Sequence, residues 1–142
     1  AETAVKDEPT NPRYRGNLGV MYYRTALFEE AVQELGLAVN GGLSNSGERV
    51  EAIELTPNAP RIAEIYFTYA LALSKLGRCG EVLRVAQVVQ SRVPTDEISV
   101  ANVDEAVSAC GQILNTPTAS PQSAAAPTGT SGTGAVETTP TP

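Results

Sequence analysis

Apolar positions in the first half of the chain recur at helical steps. Leu18, Met21, Tyr22 and Thr25 give one stripe, and Phe28, Ala31, Val32, Leu35, Ala38 and Val39 give a second immediately after it. Asn11-Pro12 supplies a capping side chain and a proline pre-set for the first helical position, so a helix is predicted over 12–25. The second helix ends at Gly41-Gly42. Periodicity then lapses over about 41–59. Within this insertion "GERVEAIEL" reads either as a short strand or as helix, and the preceding "NSG" favours a β-hairpin. Pro60 opens a third long helix, closed by Gly77; "EVLRVAQVVQSRVP" supplies a fourth, ending before Pro94. A fifth, capped by Asp96 or Ser99, carries Val100, Val103, Val107, Cys110 and Leu114. The short connections at Ala26-Leu27 and Arg78-Cys79 predict that each helix pair folds back on itself.

The two pairs superpose at an offset of 51: Gly19 on Ala70, Tyr22 on Leu73, Ala31 on Val82, Leu35 on Ala86 and Ala38 on Val89. An offset of 51 is one 34-residue period plus an insertion of about 17. "NLGVMYYRTALFEEAVQELGLAV" and "YALALSKLGRCGEVLRVAQVVQSRVP" resemble the tetratricopeptide repeat family. The first has Leu18-Gly19, Tyr22, Phe28, Ala31 and Ala38, and the second has Ala70, Gly77, Ala86 and Pro94. Ala26 stands where the family usually has a glycine, Val82 stands for an alanine, and only two repeats are complete. The resemblance implies an all-α fold: a short helical-hairpin solenoid of about five helices over 12–114, with a β-hairpin in the insertion. An N-terminal extension (1–11) precedes it and an extended C-terminal tail (115–142) follows.

The resemblance further implies a concave binding face. Carried over by motif position, that face comprises Arg13, Val20, Tyr23 and Arg24 in the first repeat, with Glu64, Phe67, Leu71, Ser74 and Lys75 in the second. Arg24 and Lys75 are equivalent positions and would place two cations in one groove, although solvated surface charge explains them equally well. The carboxylate clamp of chaperone-binding relatives is not matched, because Gly16, Val20 and Thr68 stand where it needs asparagine and lysine. Adjacent tyrosines such as Tyr22-Tyr23 read as packing residues rather than as platforms for sugars.

A formal charge of −6, from ten basic and sixteen acidic residues, argues against nucleic acid and anionic membrane as partners. The strongest apolar stretch, near 65–73, is far short of the roughly 20 residues of a membrane span. The chain has no histidine, which removes the usual general base and most zinc sites. Glu29, Glu30, Asp104 and Glu105 fall on predicted helix surfaces as solvated charges. Neither an enzyme nor a cofactor is expected.

Two cysteines, Cys79 at the start of the fourth helix and Cys110 near the end of the fifth, would meet if those helices run antiparallel. The other reading is a pair of buried thiols. A disulfide places the protein outside the cytoplasm. So does the "LGRC" turn, which resembles that of secreted or envelope-associated bacterial family members. The start at Ala1 is what removal of a signal peptide would leave.

Beyond Asn115, threonine alternates with Pro117, Pro121, Pro127, Pro140 and Pro142, and large apolar side chains are nearly absent, so no core can form there. Ser/Thr with Pro is the composition of O-glycosylated stalks, and the chain has no Asn-x-Ser/Thr sequon. The candidate acceptors are Thr116, Thr118, Ser120, Ser123, Thr128, Thr130, Ser131, Thr133, Thr138, Thr139 and Thr141. Extended at roughly 3 Å per residue, such a tail reaches a neighbouring copy. The expected partners are therefore copies of the same chain, joined head to tail in an extracellular filament, with glycans on the tail. The alternative is an envelope adaptor holding a partner peptide in its concave face.

Overall fold

The computed structural model of the chain describes residues 1–115. Within them it is mostly helical: α1 (Glu2–Asp7), α2 (Pro12–Arg24), α3 (Phe28–Asn40), β1 (Gly42–Leu43), β2 (Arg49–Val50), α4 (Pro60–Lys75), α5 (Cys79–Arg92) and α6 (Glu97–Asn115). Five of the six helices lie where periodicity puts them. The sixth, α1, falls in the stretch read as an N-terminal extension, where a single buried apolar residue, Val5, gives no periodic signal.

The capping chemistry is as the residues dictate. Asn11 Oδ1 accepts the amide protons of Arg13 and Tyr14 at 2.9 and 3.3 Å, with Pro12 as the first helical residue of α2. Asp96 takes the same role before α6, accepting from the amide and hydroxyl of Ser99 at 3.2 and 2.8 Å. Three-residue turns join α2 to α3 and α4 to α5, and each pair packs side by side. Both turns pass through the left-handed region, at Ala26 (φ 62°) and at Gly77 (φ 73°).

Alanine shares the core evenly with leucine and valine. Ala31, Leu35 and Ala38 of α3, Ala70, Ala72 and Leu73 of α4, Val82 and Val89 of α5, and Val103 and Ala106 of α6 are fully enclosed. In α2 the buried face is Arg15, Gly16, Leu18, Gly19 and Val20, whereas Met21 is 46% exposed and Thr25 lies on the surface. That differs from the predicted Leu18–Met21–Tyr22–Thr25 stripe, and the reason is close approach. A Cβ on Gly19 would collide with the Leu35 side chain and lie 3.0 Å from its backbone nitrogen, and one on Gly16 would collide with Ile65. The two glycines let α3 and α4 onto α2, and a hydrophobicity pattern does not register glycine as interior.

The insertion forms the hairpin. Gly42 pairs with Val50 and Leu43 with Arg49, antiparallel. Val50 of β2 and, beyond it, Ile53 and Leu55 are buried. The Ile53 N–H donates to the Ala38 carbonyl at 2.8 Å, and the Tyr66 hydroxyl donates to the Ile53 carbonyl. The insertion is thus built into the core between α3 and α4.

Candidate functional site

The residues assigned to a binding face divide into three groups. Val20, Leu71 and Ser74 are buried, and the Ser74 hydroxyl donates to the Leu71 carbonyl at 2.7 Å, so they form floor rather than contact surface. Tyr23 and Phe67 are half-buried, and Arg13, Arg24 and Lys75 are exposed. Both cations of the expected groove already have partners: Arg24 donates to Glu64 at 2.8 Å, tying α2 to α4, and the Lys75 ammonium lies 5.9 Å from the Phe28 ring centroid. The Phe28 ring in turn meets Tyr23 at 5.6 Å. Two contacts thus bridge α2, α3 and α4: Tyr23–Phe28–Lys75, and the Arg24–Glu64 pair that begins at the next residue of α2. Burial, with the carboxylate of Glu105 on α6 adding to it, raises the Tyr23 phenol above its ordinary range.

Cys79 and Cys110 lie at disulfide distance, with Cα atoms 5.6 Å apart and a sequence separation of 31. The link fastens α6 to the start of α5. Cys110 is buried, as are Ser99, Val103 and Ala106 on the same face of α6.

One feature escaped the sequence reading. Arg15, only 8% exposed, points its guanidinium between three segments: it donates to Glu34 of α3 at 3.0 Å, to the Pro9 carbonyl at 3.0 Å, and approaches Glu48 of the hairpin at 3.6 Å. Glu48 is also bonded to the buried Ser44 hydroxyl. An arginine at the inner spacing of a helix is the available signal for such a pair, but its partners are distant in sequence. The Asn40 side-chain amide donates to the Tyr69 hydroxyl at 3.2 Å, and burial raises the Tyr69 pKa with Glu81 adding to the effect.

Among the described residues no cluster of three or more metal-ligating side chains occurs, and no helix is long and apolar enough to cross a membrane. The candidate glycosylation positions, Thr116 to Thr141, lie outside the described residues. Comparison of the chain with family models, with curated proteins and with solved structures returns no match.

Proposed function

We propose that the protein is a non-enzymatic structural subunit, a short tetratricopeptide-type solenoid that works outside the cytoplasm and assembles head to tail into a filament. The hairpin insertion and the Thr/Ser/Pro-rich tail supply contacts, and the tail hydroxyls carry glycans. The observation that carries this reading is the mounting of the hairpin. Leu43 stands 62% exposed on a strand with one unpaired edge, and the segment that bears it is fixed to the core through Ile53 and Tyr66. A rigidly held apolar edge is a surface for another chain. The disulfide is compatible with the extracellular setting.

Light scattering on the native protein across concentration tests the proposal. Growing polymers are expected, lost on truncation before Pro117; a monodisperse monomer at high concentration would sink it. The adaptor reading draws on the half-buried Tyr23 and Phe67 beside Arg24. It expects the truncated chain to keep its affinity for a peptide ligand.

A further inference from the structure

Two demands of the fold meet at the end of α3. Gly41 takes φ 72°, and a Cβ there would stand 3.0 Å from the Val50 carbonyl oxygen and 3.1 Å from the Ala52 amide nitrogen, so only glycine fits the bend into the hairpin. Asn40, the last residue of α3, serves a different need. Its side-chain amide supplies the hydroxyl of Tyr69, a residue only 3% exposed, with a donor at 3.2 Å. Each residue answers a local constraint, and together they spell Asn-Gly.

In an Asn-Gly pair the asparagine side chain is most open to attack from its own main chain, because glycine puts no Cβ in the way. The Gly41 nitrogen, having lost its proton, bonds to Cγ of Asn40; the Cγ–Nδ2 bond breaks, and ammonia leaves carrying a proton in place of the one given up. Water then opens the five-membered imide at either carbonyl. One opening gives aspartate. The other gives isoaspartate, in which the main chain runs through Cβ and Cγ and is one carbon longer. Water is the only reactant besides the chain, and Asn40 is exposed to it.

The fold opposes the first step at both reacting groups. The Gly41 N–H donates to the Leu37 carbonyl at 2.9 Å, which ties the attacking nitrogen into the last helical turn. The Asn40 amide that must come to it is held by Tyr69. Helix ends open more readily than helix interiors, and opening of this turn frees both groups. We infer that Asn40-Gly41 is a modification site, a deamidation site kept closed by the last turn of α3 and the Tyr69 hydroxyl, which reacts when that turn opens. This goes beyond the assembly reading and holds whichever way the chain associates. Conversion replaces an amide donor by a carboxylate that only accepts, in a cleft that Asn40 and Tyr69 share with Glu81. The isoaspartate form also lengthens the main chain at the root of the hairpin, where Gly41 already packs against Val50 and Ala52.

The test follows conversion in the full, disulfide-bonded chain at mildly alkaline pH, folded in buffer and unfolded in guanidinium chloride. Trypsin releases 25–49 as one peptide carrying both Asn40 and Asn45, and fragment masses assign the gain of about 1 Da per conversion to one or the other. Asn45, which precedes Ser46 in the exposed bend of the hairpin, is the internal reference. Unfolded, Asn40 should convert ahead of Asn45; folding should cut the Asn40-to-Asn45 ratio about tenfold or more. Tyr69→Phe removes the hydroxyl and keeps the ring. It should raise the folded-state rate at Asn40 about fivefold and leave the unfolded rate unchanged. An equal ratio in both states would remove the guard, and an Asn40 that stays intact in guanidinium chloride would remove the site. The wild-type comparison stands by itself, so the inference holds or falls even where Tyr69→Phe does not fold.

Discussion

Ala26 shows how a departure in the sequence becomes a cost in the structure. It adopts φ 62° at the position where the second hairpin has Gly77 at φ 73°, so the turn is kept although its residue is wrong for it. A Cβ in the left-handed region costs about 1–2 kcal/mol. Ala26→Gly should therefore raise unfolding stability by about 1 kcal/mol, and Gly77→Ala should lower it by a similar amount. Denaturant midpoints for the two variants check this, and a neutral Ala26→Gly would show that the turn relaxes. Alanine in place of glycine was legible at a glance, because the turn position is local. The surroundings of Arg15 were not, because Glu34 and Glu48 reach it only once two hairpins have folded.

Helices of thirteen residues or more announced themselves through apolar spacing, and their ends through Asn11, Pro60, Gly77 and Asp96. Elements too short for a period did not. The six-residue α1 went unread, and the hairpin, with two residues per strand, was legible only from its turn. The last helix is held differently from the others, by the Cys79–Cys110 link as well as by packing. Closing a loop of that length is worth about 3–4 kcal/mol in the chain-entropy model. Replacing both cysteines by serine should remove at least that much, because it also leaves a buried hydroxyl at position 110. Hydrogen exchange should place the loss first in α6; uniform loosening of all helices would contradict the assignment of the staple to that element.

For the molecule as a whole, the tyrosines set an upper pH limit. Burial raises the phenols of Tyr66 and Tyr69 above the ordinary value of 10.0, opposed at Tyr66 by the Arg92 cation and reinforced at Tyr69 by the Glu81 carboxylate. The folded state thus holds protons that the unfolded chain releases. Their contribution to stability is intact below pH 10 and is lost as pH rises from there through the folded-state values. Thermal melts between pH 9 and about 12, followed by circular dichroism with tyrosinate absorbance, should show a falling midpoint, with ionisation and unfolding coincident. A midpoint that stays level over that range would mean these rings titrate without resistance. The helical class of the domain was legible because its pattern is set by short-range spacing. Which residues of the expected face reach the surface was not, since three of them, Val20, Leu71 and Ser74, are interior once α4 packs on α2.

The hairpin also bears on how this scaffold tolerates editing. Because Ile53 is hydrogen-bonded to both Ala38 and Tyr66, the 17-residue insertion behaves as a wedge rather than as a dangling loop. Its outer bend around Asn45–Gly47 is the place to graft an epitope or tag, whereas trimming the segment down to a plain inter-helix linker would pull a supporting beam out from between two hairpins.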